Sequence, residues 1–169
     1  MTEPDFPFRI TAAGSADLQR VRSLAERIWP QTYQSILSEA QIRYMMELIY
    51  AAEALDRQLR EGHRFYLLSW QDRDAGFASL SSLEEEGLWK LHKIYLDPSL
   101  QGRGLGRRFL EELIERVRDQ GGRKLELNVN RNNPALSFYR RLGFEVVREA
   151  DVPIGSGFYM NDYVMQRTL

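Results

Sequence analysis

The strongest constraint on the fold is a glycine-rich segment, Gln101-Gly102-Arg103-Gly104-Leu105-Gly106-Arg107-Arg108. It follows a predicted strand, residues 88–96, and opens an amphipathic helix whose apolar residues recur every three or four positions from Leu105 to Val117. Glycines let the backbone turn tightly and aim several N–H groups at one point, and a helix N-terminus adds its positive dipole end. The segment therefore predicts a binding site for a diphosphate.

Two common phosphate-binding motifs do not fit this segment. A P-loop requires Gly-Lys followed by Ser or Thr, and the chain contains no such triplet. A dinucleotide fingerprint, Gly-x-Gly-x-x-Gly, begins at Gly104 and Gly106 but has Phe109 in place of the last glycine. A plain glycine-rich turn before a helix is the alternative to a phosphate site.

The first 62 residues are predicted to be mainly helical. A short β-prone piece, residues 8–11, precedes a helix that Asp17 caps and Pro30 interrupts. Ser38 is predicted to cap a second helix, and a third covers residues 51–60.

The remaining residues alternate between strands and helices. Residues 64–70, 76–83 and 88–96 are predicted to form three strands joined by short turns, which favours antiparallel pairing. After the helix come a strand at 125–129, a helix that Asn133 caps and Gly143 ends, and two strands at 144–148 and 158–166. This order predicts an α+β fold in a single domain, 1–169, with a helical region 1–62 and a sheet region 63–169.

A second motif, residues 132–144, contains a tyrosine that is a candidate proton donor. In the segment Asn132 to Phe144, Ala135, Phe138 and Leu142 form an inward helical stripe, and Tyr139 lies beside it. A phenol in that position could donate a proton to a departing anion. Alternatively, Tyr139 is a core aromatic residue whose hydroxyl is hydrogen-bonded within the protein.

Together, the two motifs resemble those of the GCN5-related N-acetyltransferase (GNAT) superfamily. The pattern Gln-x-x-Gly-x-Gly at 101–106 precedes Asn-x-x-Ala-x-x-x-Tyr at 132–139, and Gly143-Phe144 follows. The resemblance covers roughly residues 64–167. It implies a splayed, mixed, largely antiparallel sheet flanked by helices, with acetyl-CoA in a V-shaped opening between the strands 88–96 and 124–129.

The resemblance also implies residue roles. Backbone N–H groups of 102–107 would hold the pyrophosphate, and the main chain of 94–96 would follow the pantetheine arm and polarise the acetyl carbonyl. Tyr139 would hydrogen-bond the CoA sulfur and protonate the thiolate. The complete set of implied acetyl-CoA contacts is Ile94, Tyr95, Leu96, Gln101, Gly102, Arg103, Gly104, Leu105, Gly106, Arg107, Asn132 and Tyr139.

The general base is less defined, because many members of the superfamily place a Glu on the strand before the glycine loop and this strand has none. Strict alternation puts His92 on one face with Lys90 and Ile94, so His92 is a candidate base and otherwise a structural histidine. Glu84, on the preceding turn with two further glutamates, could attract a cationic substrate or form a solvated hairpin tip.

The acceptor is predicted to be a small cationic amine. Residues 101–148 hold eleven Lys/Arg and six Asp/Glu, a balance of +5, whereas the remainder holds twelve and eighteen, a balance of -6. Trp29 and Tyr33 offer aromatic faces to a cation, or else pack in the core. The sequence is most similar in kind to bacterial polyamine and diamine acetyltransferases. Because the chain has no Cys and no serine-nucleophile elbow, direct attack by the amine in a ternary complex is expected. The alternatives are an amino acid or a peptide N-terminus as acceptor, and a non-catalytic CoA-binding domain.

Composition excludes several other classes of protein. The chain has no Cys, which excludes disulfides, thiolate metal ligands and a cysteine nucleophile, and the histidines lack metal-ligand spacing. A net charge of -1 argues against nucleic-acid binding. Short apolar runs and an acidic, proline-containing start predict neither a membrane span nor a signal peptide, so a cytoplasmic protein is expected. Homodimerisation is left open.

Overall fold

The computed structural model describes residues 8–169. They form a seven-stranded mixed sheet with strand order β1-β2-β3-β4-β5-β7-β6, and helices cover both faces. This confirms the predicted α+β fold class. The prediction that the first ten residues are not a signal peptide falls largely outside the described range. The elements are β1 Phe8–Ala13, α1 Leu18–Tyr33, α2 Glu39–Tyr50, α3 Ala52–Arg60, β2 Arg64–Trp70, β3 Arg73–Ser82, β4 Leu88–Leu96, α4 Leu105–Asp119, β5 Lys124–Asn130, α5 Ala135–Arg141, β6 Glu145–Gly155 and β7 Phe158–Thr168.

The sheet opens between β4 and β5. These two strands form the parallel pair of the sheet, and they pair only from Leu88↔Lys124 to Leu91↔Leu127. The other adjacent strands pair antiparallel along most of their length. Beyond Leu91 the two strands diverge, so the predicted V-shaped opening is present at the carboxyl ends of β4 and β5.

A β-bulge lies where the strands begin to diverge. On β4, Leu91 pairs with Leu80 and Lys93 pairs with Ser79, so His92 is an extra residue without a partner on β3. An extra residue shifts the alternation of side chains by one position. Leu91 and Ile94 consequently pack on the α4 side of the sheet, whereas Tyr95 packs on the α1 side. The expectation that His92 shares a face with Ile94 is therefore wrong.

The two faces of the sheet carry separate cores. On one face, α4 buries the apolar stripe that the sequence predicted, including Phe109, Leu113 and Val117. On the other face, α1, α2 and α3 bury Val21, Ile28 and their neighbours against β2 and β3. Each fully buried large apolar side chain contributes about 1.5–3 kcal/mol to the stability of the fold. The two cores therefore hold the strands that border the opening, β4 and β5, in place from both faces of the sheet.

Helix α1 begins directly after Asp17, as predicted, but does not end at Pro30. It continues through Pro30 to Tyr33: Pro30 removes one hydrogen bond of the helix but lies on its exposed side, and the next turn closes with a bond from the Gln34 N–H to the Pro30 carbonyl, 3.0 Å. Asp17 does not cap α1 through its side chain; its carboxylate accepts from the Gly14 N–H at 3.0 Å, across a short 3₁₀ turn. The continuation of α1 places Trp29 and Tyr33, four residues apart, on one face.

Other boundaries follow local hydrogen bonds. Ser38 caps α2 as predicted, since its hydroxyl accepts from the Gln41 N–H at 3.1 Å. The last hairpin is longer than predicted: β6 extends to Gly155, and the chain turns through Ser156 and Gly157, both with positive φ. Within residues 8–169 no helix is long and apolar enough to cross a membrane.

Candidate active site

The glycine loop turns on two residues with left-handed backbone. Gly102 has φ +82° and Gly104, the residue before α4, has φ +77°. A Cβ atom built at either position meets no atom within 4 Å. The backbone conformation, and not crowding, therefore demands glycine here, and the space above the loop stays open for a ligand.

The loop presents a row of free backbone donors. Among the described residues, the six N–H groups from Gly102 to Arg107 have no hydrogen-bond partner, and the first to bond back is that of Arg108, to the Gly104 carbonyl at 3.1 Å. Leu105 is buried and fixes the start of α4, whereas Gln101, Arg103 and the Glu111-paired Arg107 are exposed. Six free donors with exposed guanidinium groups at a helix N-terminus can bind a diphosphate.

Strand β4 leads from the opening to this loop. Ile94, Tyr95 and Leu96 are partly exposed, and they pair with β3 on one edge only. Gly76 allows that close pairing, because a Cβ on it would lie 2.5 Å from the Tyr95 carbonyl oxygen. The other edge of these three residues faces the opening, where their main chain can bond an extended ligand.

Tyr139 lies on α5 across the opening. Its ring packs edge to face against Phe138 and Phe144, with centroid distances of 5.4 and 5.9 Å, and the residue is 9% exposed. Burial, with a smaller effect of Tyr33, raises the pKa of the Tyr139 hydroxyl, so it stays protonated at neutral pH. No described residue accepts a hydrogen bond from that hydroxyl, and it is not one of the fully buried polar atoms that lack a partner, so a ligand in the opening can reach it.

Asn132 marks the turn that leads into α5. Its side chain is exposed, and its N–H donates to the Asn130 side-chain oxygen at 2.9 Å. The predicted cap of α5 is present as a bond from the Ala135 N–H to the Asn133 side-chain oxygen, 2.9 Å. The turn thus holds Asn132 at the end of β5, on the rim of the opening.

A cavity of about 330 Å³ lies on the α1 side of the opening. Helices α1 and α2, the strands β4 and β5, and the β6–β7 hairpin form its walls. Tyr159 and Met160 contribute from the hairpin, which Gln41 ties to α2 through a 2.8 Å bond to the Tyr159 carbonyl. The cavity is therefore the natural place for an acceptor that meets a donor in the opening.

Aromatic side chains form much of this cavity. The hydroxyls of Tyr33 and Tyr95 are 2.8 Å apart, and the Trp29 indole N–H donates to the Tyr50 hydroxyl at 3.0 Å. Burial raises the pKa of Tyr33 to about 12 and also raises that of Tyr95 well above its ordinary value, so these phenols are neutral. Trp29 is almost fully buried beneath the cavity, whereas Tyr33 is partly exposed in it.

His92, at the bulge, also lines the cavity. Its Nε2 lies 2.6 Å from the Ser81 hydroxyl oxygen, and its ring stacks on His63 with centroids 4.0 Å apart. Burial, aided by His63 and two lysines, lowers the pKa of His92 to about 3. Its imidazole is therefore neutral at pH 7, and it holds an added proton weakly.

Two charged cavity residues escaped the sequence prediction. Lys93 is 7% exposed; its ammonium donates to the Gln58 side-chain oxygen at 2.6 Å and lies over the rings of Tyr50 and Phe65. Asp162, on β7, is 4% exposed and accepts from the Asn128 amide at 3.4 Å. Burial raises the pKa of the Asp162 carboxyl. Lys93 could not be predicted from the sequence, because the bulge that turns it towards the cavity does not change the pattern of polar and apolar residues along β4.

Glu84 is not part of this assembly. It lies exposed at the tip between β3 and β4, beyond the end of β4 that pairs with β5 and opposite to the opening. It does not line the cavity, and the neighbouring Glu86 pairs with Arg123 at 3.3 Å. Within residues 8–169 no cluster of three or more potential metal ligands occurs.

A family comparison agrees with this geometry. The model of the acetyltransferase (GNAT) family matches residues 18–144, which include the glycine loop, the opening and Tyr139. The chain belongs to this family. It is an N-acetyltransferase that uses acetyl-CoA.

Curated relatives show which acceptors similar proteins use. N-alpha-acetyltransferase RimI of Mycobacterium tuberculosis is 32% identical over 150 residues, 87% of this chain and 84% of that protein. The [ribosomal protein bS18]-alanine N-acetyltransferase of Salmonella typhimurium is 37% identical over 53% of this chain and 62% of its own. An uncharacterized N-acetyltransferase of Methanocaldococcus jannaschii is 33% identical, but the match spans only 41% of its length. These relatives do not support the polyamine subtype that the sequence suggested.

Solved structures share the whole fold. The PaiA N-acetyltransferase from Thermoplasma acidophilum, in complex with coenzyme A, superposes with a TM-score of 0.79 over 96% of this chain and 99% of that one, at 24% identity. The ribosomal-protein-S18-alanine N-acetyltransferase from Escherichia coli gives a TM-score of 0.72 at 21% identity, over 96% and 94% of the two chains. At these identities the likeness concerns the fold.

Proposed function

We propose that this acetyltransferase acylates the α-amino group of a peptide or protein N-terminus. The observation that carries the proposal is the charge of the acceptor cavity. Among its described lining residues are two lysines, Lys90 and Lys93, one carboxylate, Asp162, and two histidines whose pKa values are lowered. A polyamine with several positive charges would meet a cavity of the same sign, which costs binding energy in a low-dielectric site.

The proton chemistry favours the same acceptor. An alkyl amine with a pKa near 10.4 costs about 5 kcal/mol to deprotonate at pH 7, whereas an α-amine with a pKa near 7.8 costs about 1 kcal/mol. Strand β4 has no Glu, and His92 with its lowered pKa is a weak base. An acceptor that needs little help to lose its proton matches such a site.

Two groups can take the proton that the amine loses. His92 is neutral and presents an imidazole to the cavity, and burial raises the pKa of the Asp162 carboxyl above its ordinary value. The other buried carboxylate, Glu126, accepts from Gln166 at 2.8 Å and lies near Arg148, so it is already satisfied outside the cavity. We assign the proton acceptor to Asp162, whereas His92, beside the Ser81 hydroxyl, stays neutral in the cavity wall.

The residues of the opening fit acetyl-CoA, which supplies a thioester-activated acetyl group when it is bound. The free N–H groups of 102–107 would bind its diphosphate, with Arg103 adding charge. The free edge of Ile94–Leu96 would bond the pantetheine arm, and Asn132 would touch that arm from the opposite rim. The open space above Gly102 and Gly104 leaves the approach clear.

Tyr139 is the proposed acid. Because its pKa is raised, the phenol keeps its proton at neutral pH and can donate a hydrogen bond to the departing sulfur. Asp162 takes one proton from the ammonium before attack, and the nitrogen loses a second proton as the amide forms; full transfer from so weak an acid requires this second proton to replace the one that Tyr139 gives to the sulfur. Tyr139 therefore acts in step with the loss of that proton, and no residue needs to become acylated.

A matched acceptor series tests the proposed function. One peptide is offered with a free N-terminus and an acetyl-blocked lysine, the same peptide with a blocked N-terminus and a free lysine, and spermidine serves as the third acceptor. We expect kcat/KM for the free N-terminus to exceed the other two by about 100-fold or more. Faster acetylation of spermidine or of the lysine side chain would refute the proposal.

A further inference from the structure

The ammonium group of Lys93 is buried without a counter-charge. Its polar partner is the neutral side-chain oxygen of Gln58, and its other close neighbours are the faces of Tyr50 and Phe65. Within the described chain no carboxylate lies within ion-pair distance of it, and burial alone accounts for the lowering of its pKa. Burying an unpaired charge is costly, and proteins rarely retain one without a use for it.

The position of Lys93 suggests what the missing counter-charge is. Lys93 projects into the acceptor cavity from β4, while Asp162 and Asn128 line it from β7 and β5, on the other side of the opening. The cavity thus has a cationic wall and an anionic wall. An acceptor that carries an amine and a carboxylate on the same residue would satisfy both walls at once.

We propose that Lys93 and Gln58 form a subsite for a carboxylate, and that the enzyme prefers acceptors whose N-terminal residue has an acidic side chain. The inference rests on the proposed peptide acceptor. In this arrangement the α-amine lies between the opening and Asp162, and the side-chain carboxylate accepts from the Lys93 ammonium. Gln58 holds that ammonium in place; its own amide N–H donates to the Ile49 carbonyl at 2.9 Å, which fixes the orientation of the Gln58 side chain.

The test compares two nearly isosteric peptides, one beginning with Glu and one with Gln, on the full-length enzyme. The wild type is compared with Lys93→Met, which removes the ammonium group and places an uncharged, unbranched side chain of similar length in the same buried position. The matched control is Lys124→Met, which removes the same charge at the start of β5, at the closed end of the β4–β5 pair and outside the cavity.

We expect kcat/KM of the wild type and of Lys124→Met to be about 10-fold or more higher for the Glu peptide than for the Gln peptide. In Lys93→Met this ratio should fall to near 1, because the Glu peptide reacts more slowly. A wild-type ratio near 1, or a ratio that survives in Lys93→Met, overturns the subsite. Thermal unfolding of each variant shows that it is folded.

Failure of the proposed function gives a different pattern. If neither peptide is acetylated while free glutamate is, the peptide acceptor is refuted. The Lys93 assignment is then decided by the same ratio measured with free glutamate and glutamine: a ratio lost in Lys93→Met supports the carboxylate subsite, and an unchanged ratio overturns it.

Discussion

Removing the charge of Lys93 should stabilise the protein at neutral pH. Burial lowers the pKa of Lys93 from its ordinary 10.5 to about 8, a difference that corresponds to about 3 kcal/mol of unfavourable charge burial. Lys93→Met abolishes this cost but loses the hydrogen bond to Gln58 and the contacts with two aromatic rings, together about 1–2 kcal/mol. The variant should therefore gain about 1–2 kcal/mol, or roughly 2–8 °C in Tm for a chain of this size.

The pH dependence isolates the charge from the lost contacts. Between pH 8 and 10.5 the unfolded chain binds the Lys93 proton and the folded protein does not, so wild-type stability rises with pH in this window. Lys93→Met lacks this gain. From pH 7 to pH 9.5 the wild type should recover about 2 kcal/mol relative to the variant.

Urea unfolding followed by circular dichroism at the two pH values measures both quantities. Comparing the two proteins at each pH cancels the titration of all other groups. A variant that is less stable than the wild type at pH 7, with a difference that does not change by pH 9.5, would refute the reasoning. Lys93 would then be a structural hydrogen-bond donor whose charge costs the fold nothing.

Three further substitutions and one NMR titration test the parts of the site. Gly104→Val should weaken CoA binding by about 10-fold or more in calorimetry, because its side chain covers the free N–H groups; Gly121→Val, with similar backbone strain at the far end of α4, should not. Tyr139→Phe should lower kcat by about 100-fold or more and leave CoA affinity within about twofold, and an unchanged kcat would make Tyr139 a packing residue. Asp162→Asn should lower kcat/KM and remove the fall in rate on the acid side of its pH profile; an unaltered profile would shift the proton acceptor elsewhere. NMR should show the His92 imidazole neutral from pH 5 to 8, because its pKa is lowered to about 3, and a titration midpoint in that range would contradict the buried environment.

The strong local signals in the sequence predicted the framework of the fold. The apolar stripe of α4, its glycine stop and the flanking strands have periodicities that leave little choice of structure. Strand β6 was predicted too short because it is an edge strand whose mostly exposed residues show no regular alternation of polar and apolar side chains. The break predicted at Pro30 is absent: α1 runs on to Tyr33 although Pro30, on its exposed side, removes one backbone hydrogen bond.

The acceptor side could not be predicted, for two physical reasons. A single extra residue at His92 reverses which side chains face the cavity, and only the pairing with β3 reveals it. Charge summed along the chain is also a poor guide to a site. The acidic excess outside residues 101–148 is spread over exposed positions such as Glu84, whereas the cavity holds Lys93.

The most direct measurement of the central claim is a crystal structure of the enzyme with a bisubstrate ligand, in which the CoA sulfur is joined through an acetyl bridge to the α-amine of a Glu-initiated peptide. We expect the diphosphate on the N–H groups of 102–107, the bridge between Tyr139 and Tyr95, and the first peptide residue in the cavity with its carboxylate at Lys93. A peptide that leaves the opening without entering the cavity, or a spermidine conjugate that binds more tightly than the peptide conjugate, would contradict the account.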